Sequence, residues 1–152
     1  MKKVLKASLV AISLLVLMCG CGNKNLTLST TEIIDKVYEG IDEDDLPVVG
    51  NTEITKENME YYLGVKDLDI KEGYASEAMI NAIPHSVVVI KLNEGADIEK
   101  AKADIKKSAD PRKWICVEAE QVVVDNIGDT IILIMSDNEL TPAILSNFKK
   151  LK

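Results

Sequence analysis

Histidine, arginine, cysteine and large aromatic rings are scarce in this 152-residue sequence, which holds one His, three Cys, one Trp, one Phe and four Tyr. Each scarcity closes off a class of chemistry. One histidine, His85, cannot join with so few cysteines to make a zinc site of usual composition. A net charge of −7 argues against nucleic acid as a partner, because counterion release rewards basic patches. No Gly-x-Ser-x-Gly elbow is present. The acidic run Asp42-Glu43-Asp44-Asp45 lacks the alternate spacing, central glycine and final glutamate of an EF-hand. It reads as a solvated loop, and no cofactor or metal is implied.

What is present begins with the leader. Lys2, Lys3 and Lys6 precede an apolar stretch from Ala7 to Met18. That stretch is too short to span a bilayer, which takes about 20 apolar residues, and fits the apolar core of a secretory signal. Leu17-Met18-Cys19-Gly20-Cys21 then places an apolar residue three before Cys21 and a small one immediately before it. This is the spacing of lipoprotein processing. Residues 1–20 are therefore expected to be a cleaved lipoprotein signal peptide, with Cys21 the lipid-bearing first residue of the mature chain. The alternatives are an ordinary cleaved signal and an uncleaved anchor. Two acyl chains on Cys21 suffice for stable anchoring, which predicts a location on the extracytoplasmic face of the cell membrane. The leader takes three lysines and no acid with it, so the mature chain carries 15 basic against 25 acidic residues, a charge of −10. That charge disfavours broad adhesion to anionic surfaces.

Residues 21–29 read as a polar tether and residues 30–152 as one α+β domain. Ser29-Thr30-Thr31-Glu32 matches a capping box, and Ile33, Ile34, Val37, Tyr38 and Ile41 share one helical face. A second short helix fits Lys56 to Leu63, capped by Thr55 and stopped by Gly64. A turn is expected around Gly50-Asn51. Leu68 to Ala75 is a weak strand and His85 to Leu92 a strong one. Asp97 caps a helix to about Ser108. Strands follow from Ile115 to Asp125 and from Thr130 to Ser136, joined at Asn126-Ile127-Gly128-Asp129. A last helix spans Leu140 to Leu151. The order strand-strand-helix-strand-strand-helix, after two short helices, predicts a two-layer domain. In it a mostly antiparallel four-stranded sheet has helices against one face. The continuous apolar run Ile131 to Met135 predicts a central strand.

The candidate site residues are few. His85 and Ser86 are adjacent on a strand, so they point to opposite faces and cannot form a nucleophile–base pair. His85 is expected to pack or bond locally after Pro84. Arg112, the lone arginine, suits a bidentate carboxylate, either one of the protein's own acids such as Asp110 or a ligand's. Trp114 is expected to fill the core; exposure beside Arg112 would instead suggest a binding shelf. Cys116, the one thiol outside the leader and Cys21, lies in an apolar run and is expected to be buried. No catalytic residue is assigned.

Several segments resemble a family of uncharacterised small lipoproteins of Gram-positive anaerobes, known only as a domain of unknown function. They are Glu32-Ile33 through Asp45-Leu46-Pro47, Glu60-Tyr61-Tyr62-Leu63-Gly64, His85-Ser86-Val87-Val88, Asp110-Pro111-Arg112-Lys113-Trp114 and Val124-Asp125-Asn126-Ile127-Gly128-Asp129. The resemblance implies export and a lipid anchor, and supplies no activity. The expectation is a lipid-anchored binding or interaction domain, its partner an envelope protein or a small ligand. The alternative is a cell-envelope hydrolase built on His85 and acidic residues.

Overall fold

A computed structural model describes residues 25–152; the expected signal peptide, Cys21 and residues 22–24 lie outside the described residues. The elements are α1 (Thr30–Tyr38), β1 (Val49–Glu53), α2 (Met59–Leu63), β2 (Ile70–Ala78), β3 (Ser86–Leu92), α3 (Ile98–Ser108), β4 (Gln121–Ile127), β5 (Thr130–Ser136) and α4 (Leu140–Lys149). The five strands form one open sheet in the order β1-β2-β3-β5-β4, antiparallel at every pairing.

The sheet is built around β3 and β5, in which every residue is buried. Successive side chains alternate between faces, so such strands must be covered on both. Val88, Ile90, Leu133 and Met135 enter one core with α2, α3 and Trp114. Val87, Val89, Ile132 and Ile134 enter the other with α1 and α4. The expected two-layer arrangement is therefore corrected: helices lie on both faces. The expected four strands are corrected to five. Val49–Glu53 carries little apolar signal of its own and pairs only with β2, as an edge strand.

Local signals set most of the elements. The capping box at α1 is formed, with Glu32 N–H donating to Ser29 Oγ at 3.3 Å and Ser29 N–H to Glu32 Oε2 at 2.8 Å. Asp97 Oδ1 accepts from Lys100 N–H at 2.9 Å at the start of α3. Gly64, at φ +74°, ends α2 as a left-handed cap. The expected strand from Ile115 starts only at Gln121. Residues 109–120 are irregular because Trp114 turns into the core while Ile115 N–H bonds the Asn81 carbonyl at 3.0 Å, off the sheet. Cys116 is consequently exposed, at φ +62°, and the expectation of a buried thiol is overturned.

The expected tether is partly a packed strap. Leu26 and Leu28 pack against the α1–α4 core. The ammonium of Lys91, a nearly buried residue of β3, donates to the Leu28 carbonyl and to that of Leu26 at 3.1 Å, and pairs with Glu72 at 3.3 Å. Asn25 Oδ1 accepts from Asp129 N–H at 3.1 Å. The strap thus joins the sheet at the β4–β5 turn, beside Leu92, whose N–H bonds the Asp129 carbonyl. From there α1 runs back to the far end, its first residue near Glu72 and its last, Tyr38, on His85.

Glycine substitution reads out this docking. Gly95 has φ +85° with open space where a Cβ would sit, so Gly95→Ala should cost about 1 kcal/mol of backbone strain. Gly128 has φ +57°, and its Cβ would lie 2.9 Å from Asn25 Cα. Gly128→Ala should therefore cost about 2–3 kcal/mol. Denaturant melts of the two variants check this, and equal losses would contradict a seated strap.

Candidate functional site

The far end of the sheet, where β2 leaves and β3 enters, gathers buried polar side chains on both faces. On the α1 face, His85 is 1% exposed. Its Nε2 lies 2.9 Å from the Tyr38 hydroxyl and its Nδ1 2.9 Å from Ser136 Oγ. The strand register explains the grouping, because Ser86 pairs with Met135 and so sets His85 beside Ser136. Burial pushes the imidazole down from 6.5 to about 4, outweighing the charges of Asp137 and Glu77 that favour protonation. The ring is neutral at pH 7, donating from one nitrogen and accepting at the other. Burial likewise raises the Tyr38 phenol to about 12, so it stays protonated.

Ser86 faces the other way, as alternation requires, and accepts from Lys113 Nζ at 3.3 Å. Lys113 and Glu77 form an ion pair in which both side chains are largely buried. Tyr61 O–H donates to the second Glu77 oxygen at 2.6 Å. The ammonium also lies 4.6 Å, 5.1 Å and 5.2 Å from the ring centres of Tyr61, Tyr62 and Trp114. Those rings stabilise a desolvated cation. Burial still lowers the Lys113 pKa, although Glu77 opposes the shift. Burial and the Glu77 carboxylate both raise that of Tyr61.

The structure separates the residues singled out in the sequence. Arg112 and Trp114 line one shallow depression of about 410 Å³ with Cys116, Val117 and Glu118. Trp114 itself is buried as expected, and its Nε1 has no partner among the described residues. Arg112 is exposed; Asp110 Oδ1 accepts from its backbone N–H at 2.9 Å, while no ion pair involves its guanidinium among the described residues. His85 lies on the opposite face of the sheet from Trp114. The acidic run is exposed, and Asp42 Oδ1 accepts from Asp44 N–H at 3.1 Å in a local turn. Glu43 lines a separate depression with Tyr38 and Leu46. Among the described residues, no group of three acids, histidines or cysteines is placed to hold a metal ion.

Sequence reasoning missed Ser136, Lys113, Glu77 and the Tyr61–Tyr62 pair as a cluster. Lys113 stood out from the other lysines only by standing next to Trp114; the partners come from β2 and α2, joined by folding alone. A serine does stand beside His85, but the other imidazole nitrogen meets a phenol where a triad has a carboxylate. Ser136 and Ser86 are fully buried, so neither hydroxyl is open to a substrate. No known protein family, curated protein or solved structure matches this chain.

Two consequences are measurable. An unfolded His85 binds a proton near pH 6.5 and the folded one near 4, so stability falls as pH drops through that window. The loss attributable to this group is about 3 kcal/mol. His85→Gln should flatten that part of the profile, as denaturant midpoints at pH 7 and 4.5 will show; identical profiles would contradict a sealed neutral imidazole. In the second test, Lys113→Met and Glu77→Gln should each cost about 3 kcal/mol by leaving a buried partner unpaired. The double variant should cost much less than their sum. Additive losses in the cycle would mean that the two groups do not act as a pair.

Proposed function

We propose that this chain is a lipid-anchored, non-enzymatic binding domain, held at the outer face of the cytoplasmic membrane through Cys21. The anchor is supported by the Met18-Cys19-Gly20-Cys21 spacing behind a short apolar run. A doubly acylated cysteine holds a protein firmly on a bilayer without any spanning segment.

One observation carries the choice of binding over catalysis. The only histidine is sealed against two hydroxyls, and burial holds its pKa near 4, too low for proton transfer near neutral pH. Arg112 and Glu43 of the acidic run line different depressions, and His85 lines neither, so the hydrolase alternative finds no shared cleft among them. What is left for function is surface, presented by a rigid domain on a short leash.

Metabolic labelling with a radioactive fatty acid tests the anchor. The wild-type chain should incorporate label and sediment with membranes, while Cys21→Ala should lose both. Label retained by Cys21→Ala would overturn the assignment.

A further inference from the structure

All the large apolar side chains that stay exposed among the described residues belong to one end of the sheet. They are Val48, Tyr61, Met79, Ile80 and Ile115, with Val48, Met79 and Ile115 exposed by 71%, 70% and 62%. Single exposed hydrophobics need no explanation, but a concentration of them marks an interaction surface. The backbone ties these together. Met79 N–H donates to the Val48 carbonyl at 2.9 Å, and Ile115 N–H to the Asn81 carbonyl at 3.0 Å. Tyr61 reaches the same end through Glu77, which pairs in register with Ser86 at the start of β3.

We infer that this far end is a docking surface for a protein partner that presents an apolar segment flanked by lysine or arginine. The inference takes its geometry from the lipid-anchor reading of Cys21. Three observations select the occupant.

The first is charge. The loops that meet at this end, residues 42–48, 79–85, 109–120 and 137–139, contain nine acidic residues. Against them stand Arg112 and Lys113, and Lys113 is committed to Glu77. Asp45 is three residues from Val48, and Glu118 three from Ile115, so each lies within about 11 Å of an apolar side chain's backbone. An apolar centre with an acidic rim complements a basic partner, and that arrangement also speeds encounter.

The second is the place of the anchor, which favours a partner other than the membrane. Asn25 is fixed at the β4–β5 turn, the end of the sheet opposite the patch. Only residues 22–24 separate it from Cys21, so the lipid attachment lies at most about 14 Å from Asn25. Along β3 from Leu92 back to Ser86 the sheet rises about 20 Å, and the patch lies beyond that. With its anchored end toward the bilayer the domain presents the patch away from it, and anionic headgroups would repel the acids beside the patch.

The third concerns a second copy. Two such ends would bring like charges together, which opposes their association. A partner of opposite charge does not meet that barrier.

In cells producing the full-length chain, a photo-crosslinking benzoylphenylalanine replaces Ile80 or Ile115, with Glu99 on the outer face of α3 as control position. Both patch positions should yield a protein adduct that Glu99 does not. The crosslinked peptide should carry apolar residues with at least two Lys or Arg nearby. Combining the probe at Ile115 with Asp44→Lys and Asp45→Lys, both on the exposed loop, should cut the adduct at least fivefold while thermal melting is unchanged. An adduct of twice the chain's mass, a lipid adduct, a partner peptide without basic residues, or no adduct would each overturn the proposal. An adduct indifferent to the charge reversals would do the same. Fatty-acid labelling of Cys21→Ala reports on the anchor separately, so failure of the docking surface and failure of the anchor are distinguishable.

Discussion

Everything in this fold depends on two adjacent strands, β3 and β5, that show no residue to water. Their side chains alternate Val87, Val89 and Ile132, Ile134 on one face with Val88, Ile90 and Leu133, Met135 on the other. Each fully buried aliphatic side chain contributes about 1.5–3 kcal/mol, so neither face can be left wet. The four helices are the answer. Two of them, α1 and α4, also pack on each other over one face, while α3 covers β4 and β5 from the other.

Where these strands end, the apolar requirement ends too, and polar groups must be satisfied without water. At the strap end Lys91 does this by extending across the sheet to two carbonyls and Glu72. At the far end His85 and Ser86, neighbours in sequence, each find hydroxyl or ammonium partners on opposite faces. A histidine in such a place serves as a neutral hydrogen-bonding block. Its low pKa follows from the packing that holds it, and brings a dependence of stability on pH. The Lys113–Glu77 pair is similar in kind: three aromatic rings make its burial tolerable, and one of them, Tyr61, stays partly at the surface.

Much of this was legible in the sequence, for physical reasons that differ between elements. Short-range signals were sufficient at Ser29–Glu32, at Asp97 and at Gly128, because a cap or a tight turn is satisfied by residues within four positions. The run Ile131–Met135 identified an interior strand, since only a strand covered on both faces can be apolar throughout. That same run contradicted the expectation of helices on one face alone. β1 was hidden because its stability comes from pairing with β2, and Val49–Glu53 lacks an alternating pattern. Ile115–Val117 misled in the opposite sense: an apolar run reads as a strand, but Trp114 took the core position and left Ile115 and Cys116 outside. The His85–Tyr38–Ser136 and Lys113–Glu77–Tyr61 clusters join residues 16 to 51 positions apart, which no local pattern encodes.

The two edges of the sheet are treated differently, and this bears on how the surface is used. An exposed edge offers unpaired N–H and C=O groups to any passing strand. At β4 the Lys106 ammonium, from α3, donates to the Val122 carbonyl and helps to close that edge. At β1 the outer edge is open, but the strand is only five residues long and exposes Asn51, Thr52 and Glu53. A short polar edge resists indiscriminate pairing, while Val48, immediately before it, stays bare. The apolar surface of the far end therefore sits at the end of a guarded edge, among loops rich in acids. A neutral or acidic chain gains little there, since it would have to desolvate carboxylates without compensation. On the docking proposal, the acids that would deter a second copy would also restrict which other proteins use the patch.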